Sequence, residues 1–144
     1  MVEINNYKLK ESTLKNRNQI NNLGGIMAGK ILLVDDAAFM RMMLKKIIAP
    51  TGHELIEAVD GSDGVAKYKE SKPNLVFCDI VMPNVDGIEC LKQIMALDGS
   101  AKVVMCSSIG QQTVVNDAIK IGARDFIIKP FDAAKVLEAV SKNM

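Results

Sequence analysis

Five side chains suited to phosphate and hard cations each stand just past a short apolar run in this 144-residue chain. Asp35 and Asp36 follow ILLV, Asp79 follows LVFC, Ser107 follows VVMC and Lys129 follows FII. Carboxylates at the ends of buried runs are costly unless a cation compensates them. An all-oxygen group with room for water is what Mg²⁺ prefers. Such an ion would let a phosphoryl dianion approach an anionic carboxylate despite Coulomb repulsion. Lys129 would add a point charge on the same phosphoryl oxygens, and Ser107 a hydroxyl donor that reorients freely. The implied chemistry is phosphoryl transfer onto a carboxylate, with Asp79 central because its strand is central. Taken alone, Asp35-Asp36 would serve equally well to cap a following helix, and Lys129 as a solvated charge. Their joint occurrence at four strand ends is hard to obtain by accident.

The elements that must position these residues are legible as an alternation. Apolar runs at Ile31–Val34, Leu55–Val59, Leu75–Cys78, Val103–Cys106 and Phe126–Ile128 read as strands. Four of them are nearly continuous in hydrophobicity, as strands buried on both faces should be. Glu57 interrupts the other and predicts a sheet edge. Segments of helical period lie between and after them, at Ala37–Ala49, Ser62–Ser71, Gly87–Leu97, Gln111–Ile121 and Ala133–Ser141. In the first, Met40, Met43, Leu44, Ile47 and Ile48 form one stripe, and Pro50 ends it. Asp132 is placed to cap the last helix. Five strands alternating with five helices predict a doubly wound α/β fold with a parallel sheet. Such sheets bind ligands beyond the carboxyl ends of their strands, where the five residues stand.

Composition narrows the function. Eighteen basic residues balance 17 acidic ones, so no charge excess points to nucleic acid or an anionic membrane. With aromatics at 4% and no Trp, base-stacking platforms are unsupported too. No membrane-spanning run or secretory leader is visible, so a cytoplasmic location is expected. Cys78 and Cys106 lie inside apolar runs and Cys90 has no CxxC partner, so the thiols read as small buried hydrophobes. The single histidine, His53, reads as a turn residue after Gly52. Residues 1–28, with six asparagines before Gly24-Gly25, read as a flexible extension to a domain spanning 29–144. Met27 resembles a translation start, which would make the preceding residues dispensable. P-loop, dinucleotide-binding and nucleophile-elbow motifs are absent, and Asp35-Asp36-Ala37 breaks the Asp-x-Asp spacing of haloacid-dehalogenase-like phosphatases.

Three segments carry a family resemblance: Val34-Asp35-Asp36, the run from Asp79 through Met82-Pro83 to Asp86-Gly87, and the run from Gly122 to Phe131. Together they resemble the receiver domain of bacterial response regulators over residues 30–144. Ala37–Lys45 and Gly110-Gln111-Gln112 further resemble the chemotaxis regulators of the CheY type. The resemblance implies a flavodoxin-like strand order of 2-1-3-4-5. It implies Asp79 as phospho-acceptor, Asp36 and Asp79 as direct Mg²⁺ ligands, Asp35 acting through water, and the Val81 carbonyl as a further ligand. It also implies Lys129 as phosphate partner, Ser107 as the hydroxyl that closes on the phosphoryl group, and Phe126 as switch aromatic. Many chemotaxis members have Tyr at that last position, so a phenolic hydroxyl is missing here. The Lys129–Pro130 bond matches one that is cis in the family.

Only three residues follow Ser141, so no attached output domain is expected. The leading expectation is therefore a monomeric regulator, not an enzyme on other substrates. A histidine kinase would phosphorylate it and the flagellar motor switch would read it, in chemotaxis. A sporulation-type phosphorelay intermediate is the regulatory alternative. A small Mg²⁺-dependent acyl-phosphate hydrolase is the alternative of another class.

Overall fold

The structure, a computed structural model, describes residues 28–108 and 110–144. The expected N-terminal extension, all but its last residue, and the start at Met27 lie outside the described residues. From Lys30 onward, strands and helices alternate: β1 (Lys30–Val34), α1 (Ala38–Ile48), β2 (Glu54–Ala58), α2 (Gly61–Ser71), β3 (Leu75–Asp79), α3 (Gly87–Leu97), β4 (Val103–Ser107), α4 (Gln112–Ile121), β5 (Asp125–Ile128) and α5 (Ala133–Asn143). A short 3₁₀ turn, Ala49–Thr51, closes α1, with Pro50 inside it. The strands form one parallel sheet in the order β2-β1-β3-β4-β5. This is the doubly wound, flavodoxin-like arrangement that the family resemblance implied.

The apolar runs explain why the sheet is covered on both faces. Along β1, Leu32 and Val34 join Val65, Val76, Leu91, Ile94 and Met105 in one buried cluster. Ile31 and Leu33 point the other way, into a second cluster with Leu44, Ile48, Phe77, Val136 and Val140. The strand period of two thus feeds two cores, with α2, α3 and α4 over one face and α1 and α5 over the other.

Two expectations need correction at the margins. The second strand ends at Ala58, and Val59 is 52% exposed, because the chain turns there toward α2. The fifth strand is not buried on both faces: it forms the far edge, beyond β4, and Ile128 is 46% exposed. The edge predicted from Glu57 is correct, since β2 closes the opposite side.

Candidate functional site

Register, more than any loop, brings the candidate residues together. Val34 pairs with Cys78, so Asp35 and Asp79 come next on adjacent strands. Asp79 pairs with Cys106 and Ser107 with Ile128, which sets Ser107 and then Lys129 beside them. Asp35, Asp79 and Ser107 are buried, at 2%, 7% and 1% exposure. Asp36 is exposed. One carboxylate oxygen from each of Asp35, Asp36 and Asp79 lies within 4.8 Å of the others.

The Lys129 ammonium bridges two of these acids, with Nζ 2.8 Å from Asp35 Oδ2 and 3.1 Å from Asp79 Oδ1. The lysine is itself placed by its backbone N–H, which donates to the Ser107 carbonyl at 2.9 Å. The Lys129–Pro130 bond is cis, as the resemblance implied. Burial alone would lower the lysine's pKa, but the hydrogen bond and charge of Asp35, joined by Asp79, raise it. Burial and the neighbouring charge of Asp35 push the Asp79 carboxyl up, against the opposing pull of Lys129. Two anions therefore share one cation, and the remaining negative charge sits among oxygen donors. This donor set fits a small hard divalent ion such as Mg²⁺.

Asp35 does not cap α1 in the way that two consecutive aspartates suggested. The N-cap is Ala37, without a side-chain cap. Asp35 Oδ1 instead accepts from the Ala37 N–H at 2.9 Å, so one oxygen holds the turn and the other holds Lys129. Val81 stands in the loop between β3 and α3 and is 63% exposed, and with an apolar side chain only its backbone carbonyl could serve as an oxygen ligand. Phe126 is half-buried on β5, beside Met105 in register, and packs against the first core cluster. The three thiols are free and buried. Contact with Cys90, then burial, pushes the Cys78 thiol up, and burial does the same to Cys106, so neither is primed for redox chemistry.

Several supporting residues were missed. Arg41 Nη1 donates to the Asp35 carbonyl at 2.7 Å while its Nε meets Glu57 Oε1 at 2.8 Å. Lys45 holds the other Glu57 oxygen at 2.8 Å. Lys45 and then Arg41 keep the Glu57 carboxyl below its ordinary range. Gly87 stood in the resembling run without a role. A Cβ there would sit 2.0 Å from the Asp79 carbonyl oxygen, so α3 starts directly against the backbone of the central aspartate. Neither signal was readable, because both arise where separate strands and helices meet.

Comparison with known proteins agrees with this geometry. The response regulator receiver domain family matches residues 31–141. The chemotaxis protein CheY of Bacillus subtilis is 55% identical over 119 residues, covering 82% of this chain and 99% of that protein. Sporulation initiation phosphotransferase F of the same organism is 30% identical over 119 residues, covering 83% and 96%. Among solved structures, a CheX–CheY–BeF₃–Mg²⁺ complex from Borrelia burgdorferi superposes with a TM-score of 0.78 at 41% identity, covering 83% of this chain and 90% of that one. Acids at the ends of β1 and β3, tied through one lysine after β5, thus sit on a sheet and a sequence shared with these proteins, and the chain belongs to the response regulator receiver domain family, as a CheY-like member.

Proposed function

We infer that Asp79 accepts a phosphoryl group from a phosphohistidine donor on a histidine kinase, and that the modified protein changes its affinity for a protein partner in chemotaxis. The observation that carries this reading is the Lys129 ammonium bridging Asp35 and Asp79 beside Asp36. An Asp79 carboxylate oxygen forms the new O–P bond as the donor's N–P bond breaks, and the freed imidazole nitrogen takes up a proton. Lys129 tracks the charge on the transferring group, and Ser107 offers a hydrogen bond to the product. Asp36, Asp79 and the Val81 carbonyl would hold Mg²⁺ directly, with Asp35 acting through water. That ion supplies charge neutralisation for the phosphoryl oxygens. The protein's chemistry is then confined to its own phosphorylation and dephosphorylation.

The modification adds about −1.5 to −2 charge and three acceptor oxygens. Drawing Ser107 toward them frees space behind β4, into which Phe126 can turn from β5. The neighbouring surface already exposes Ile119 and Ile128, at 46% each, which suits a protein partner such as the flagellar motor switch. The likeness to CheY favours chemotaxis, and the Borrelia complex, which joins such a protein to CheX with Mg²⁺, supports both the metal and a protein target.

The test is phosphate incorporation from phosphoramidate or a purified histidine kinase, with and without Mg²⁺. One labile phosphoryl group per chain, dependent on Mg²⁺ and lost in Asp79→Asn, is the expected result. Undiminished incorporation in that variant overturns the assignment. Phosphate release from the donor that persists in Asp79→Asn would instead reveal a hydrolase, and efficient back-transfer to a histidine phosphotransfer protein would reveal a relay.

A further inference from the structure

The loop from Ile80 to Asp86 carries Val81, and its tip is held by something other than the acid cluster. Asn84 adopts a left-handed backbone, with φ 65°, and its Nδ2 donates to Asp60 Oδ2 at 3.1 Å. Asp60 divides its carboxylate, because Oδ1 accepts from the Asp63 N–H at 2.8 Å and caps α2. Directly after it, Gly61 lies so close under the loop that a Cβ would come within 1.9 Å of the Val85 carbonyl oxygen. The same part of the chain is joined to the acid cluster from the other side, since the Asp35 N–H donates to the Ala58 carbonyl at 3.2 Å. One short segment, Ala58–Gly61, therefore touches both the strand end that bears Asp35 and the loop that bears Val81.

We propose that the Asp60–Asn84 hydrogen bond is a positioning device for the metal centre, setting the Val81 loop relative to Asp35, Asp36 and Asp79 and so setting divalent-cation affinity. This rests on the Mg²⁺ reading above. Mg²⁺ demands near-ideal octahedral geometry, so a loop ligand placed loosely loses affinity. Partners that orient ligands from behind commonly matter as much as the ligands.

Asn84→Gly removes the amide while glycine still accepts the left-handed backbone, and the side-chain swap below controls for the backbone freedom that glycine adds. Asp60→Asn with Asn84→Asp together reverse the polarity of the bond. The amide introduced at position 60 donates to the carboxylate introduced at position 84, and the carbonyl oxygen of that amide still caps α2. Mg²⁺ affinity of the full chain by titration calorimetry, amide exchange of residues 80–87 without metal, and metal-free melting temperature are compared across wild type, Asn84→Gly, Asn84→Asp and the double variant. Asn84→Gly should weaken Mg²⁺ binding about fivefold, an effect limited by the water exposure of the bond. It should also speed exchange in the loop, with a melting temperature close to wild type. The double variant should recover both affinity and protection relative to Asn84→Asp. Wild-type affinity and exchange in Asn84→Gly, or a double variant no better than Asn84→Asp, overturns the proposal. Should the wild type itself bind no Mg²⁺, the metal reading fails, and unchanged loop exchange would then reject the positioning role as well.

Discussion

Between β2 and β3 the carboxyl end of the sheet is tied down from several directions, whereas among the described residues the β4–β5 side is held mainly through Lys129. On the first side, Arg41 links the Asp35 backbone to Glu57, and Lys45 secures the same glutamate. Asp60 and Asp86 cap α2 and α3 with their side chains. Gly61, Gly64 and Gly87 each sit where a methyl group would collide with a neighbouring strand, helix or loop. On the second side, α4 has no side-chain cap and buries Ala118 alone. Next to it, β5 is an edge strand with Phe126 half-buried. The difference suits the two tasks proposed above. Ligands of a small hard cation must hold a fixed geometry, while a surface that reports phosphorylation must have a second arrangement of comparable energy. Regions with few buried apolar contacts are where local opening is cheapest.

The sharpest way to break this contrast is to add the same methyl group on each side. At Gly87 the new Cβ would meet the Asp79 carbonyl oxygen at 2.0 Å and the Ile80 Cα at 2.5 Å, both backbone atoms that cannot step aside. Gly87→Ala is expected to cost about 3 kcal/mol or more and to lower the melting temperature by roughly 10 °C. At Gly110 the nearest obstacle is Ile128 Cδ1 at 2.7 Å, the tip of a side chain that is itself 46% exposed. Gly110→Ala should change stability by less than about 1 kcal/mol, and the restriction of the unfolded chain favours a slight gain. Thermal melts of the two variants decide the matter. Equal losses would mean that the β4–β5 side is as tightly built as the other.

A smaller and opposite effect is available on the less tied side. Gln111 occupies the N-cap of α4 with extended backbone angles, φ −64° and ψ 135°, but makes no capping bond. Gln111→Asp should accept from the first-turn N–H groups and favour the helix dipole, adding about 0.5–1 kcal/mol. Amide exchange within α4 should slow while exchange in α2 and α3 stays as it was. Unchanged α4 exchange would show that this helix end is already satisfied.

How much of this was readable beforehand depended on where each feature originates. Strands β1, β3 and β4 were plain because continuous apolar runs leave no other use for them. Asp132 as cap of the last helix was plain too, and its side chain accepts from the Ala134 N–H at 2.9 Å. The acids and Lys129 were found because charge directly after a buried run needs a partner. The edge position of β5 was hidden from the local pattern, since Phe-Ile-Ile looks like a central strand, and only the strand order implied by the family resemblance carried it. Arg41 with Glu57, Asp60 with Asn84, and the closeness of Gly87 to Asp79 were hidden for the same reason. Each is a contact between elements, and no local pattern of residue types records it.

The least effect expected is at the amino end of the sheet, remote from the acids, and it is a pH dependence. His53 follows Gly52, which takes φ 84° to end the 3₁₀ turn, and its Nδ1 accepts from the Gly29 N–H at 2.9 Å. A protonated imidazole has no lone pair to accept with, so protonation breaks this bond. Burial also disfavours the cation and lowers the pKa below its ordinary value of 6.5. In the interval from 6.5 down to the folded-state value, the unfolded chain binds more protons than the native one, so stability increases with pH across it. The contribution of His53 is therefore complete above pH 6.5 and declines as pH falls through that value. This is the chain's one histidine, so no other side chain of unperturbed pKa titrates strongly there. His53→Gln keeps an acceptor but cannot titrate in this range. Relative to wild type, it should reduce the loss of melting temperature between about pH 7.5 and 5.5, with phosphorylation of Asp79 at the upper pH unchanged. An identical pH slope in both proteins would show that the acid sensitivity originates elsewhere, with the carboxylate cluster at the opposite end of the sheet the first place to look.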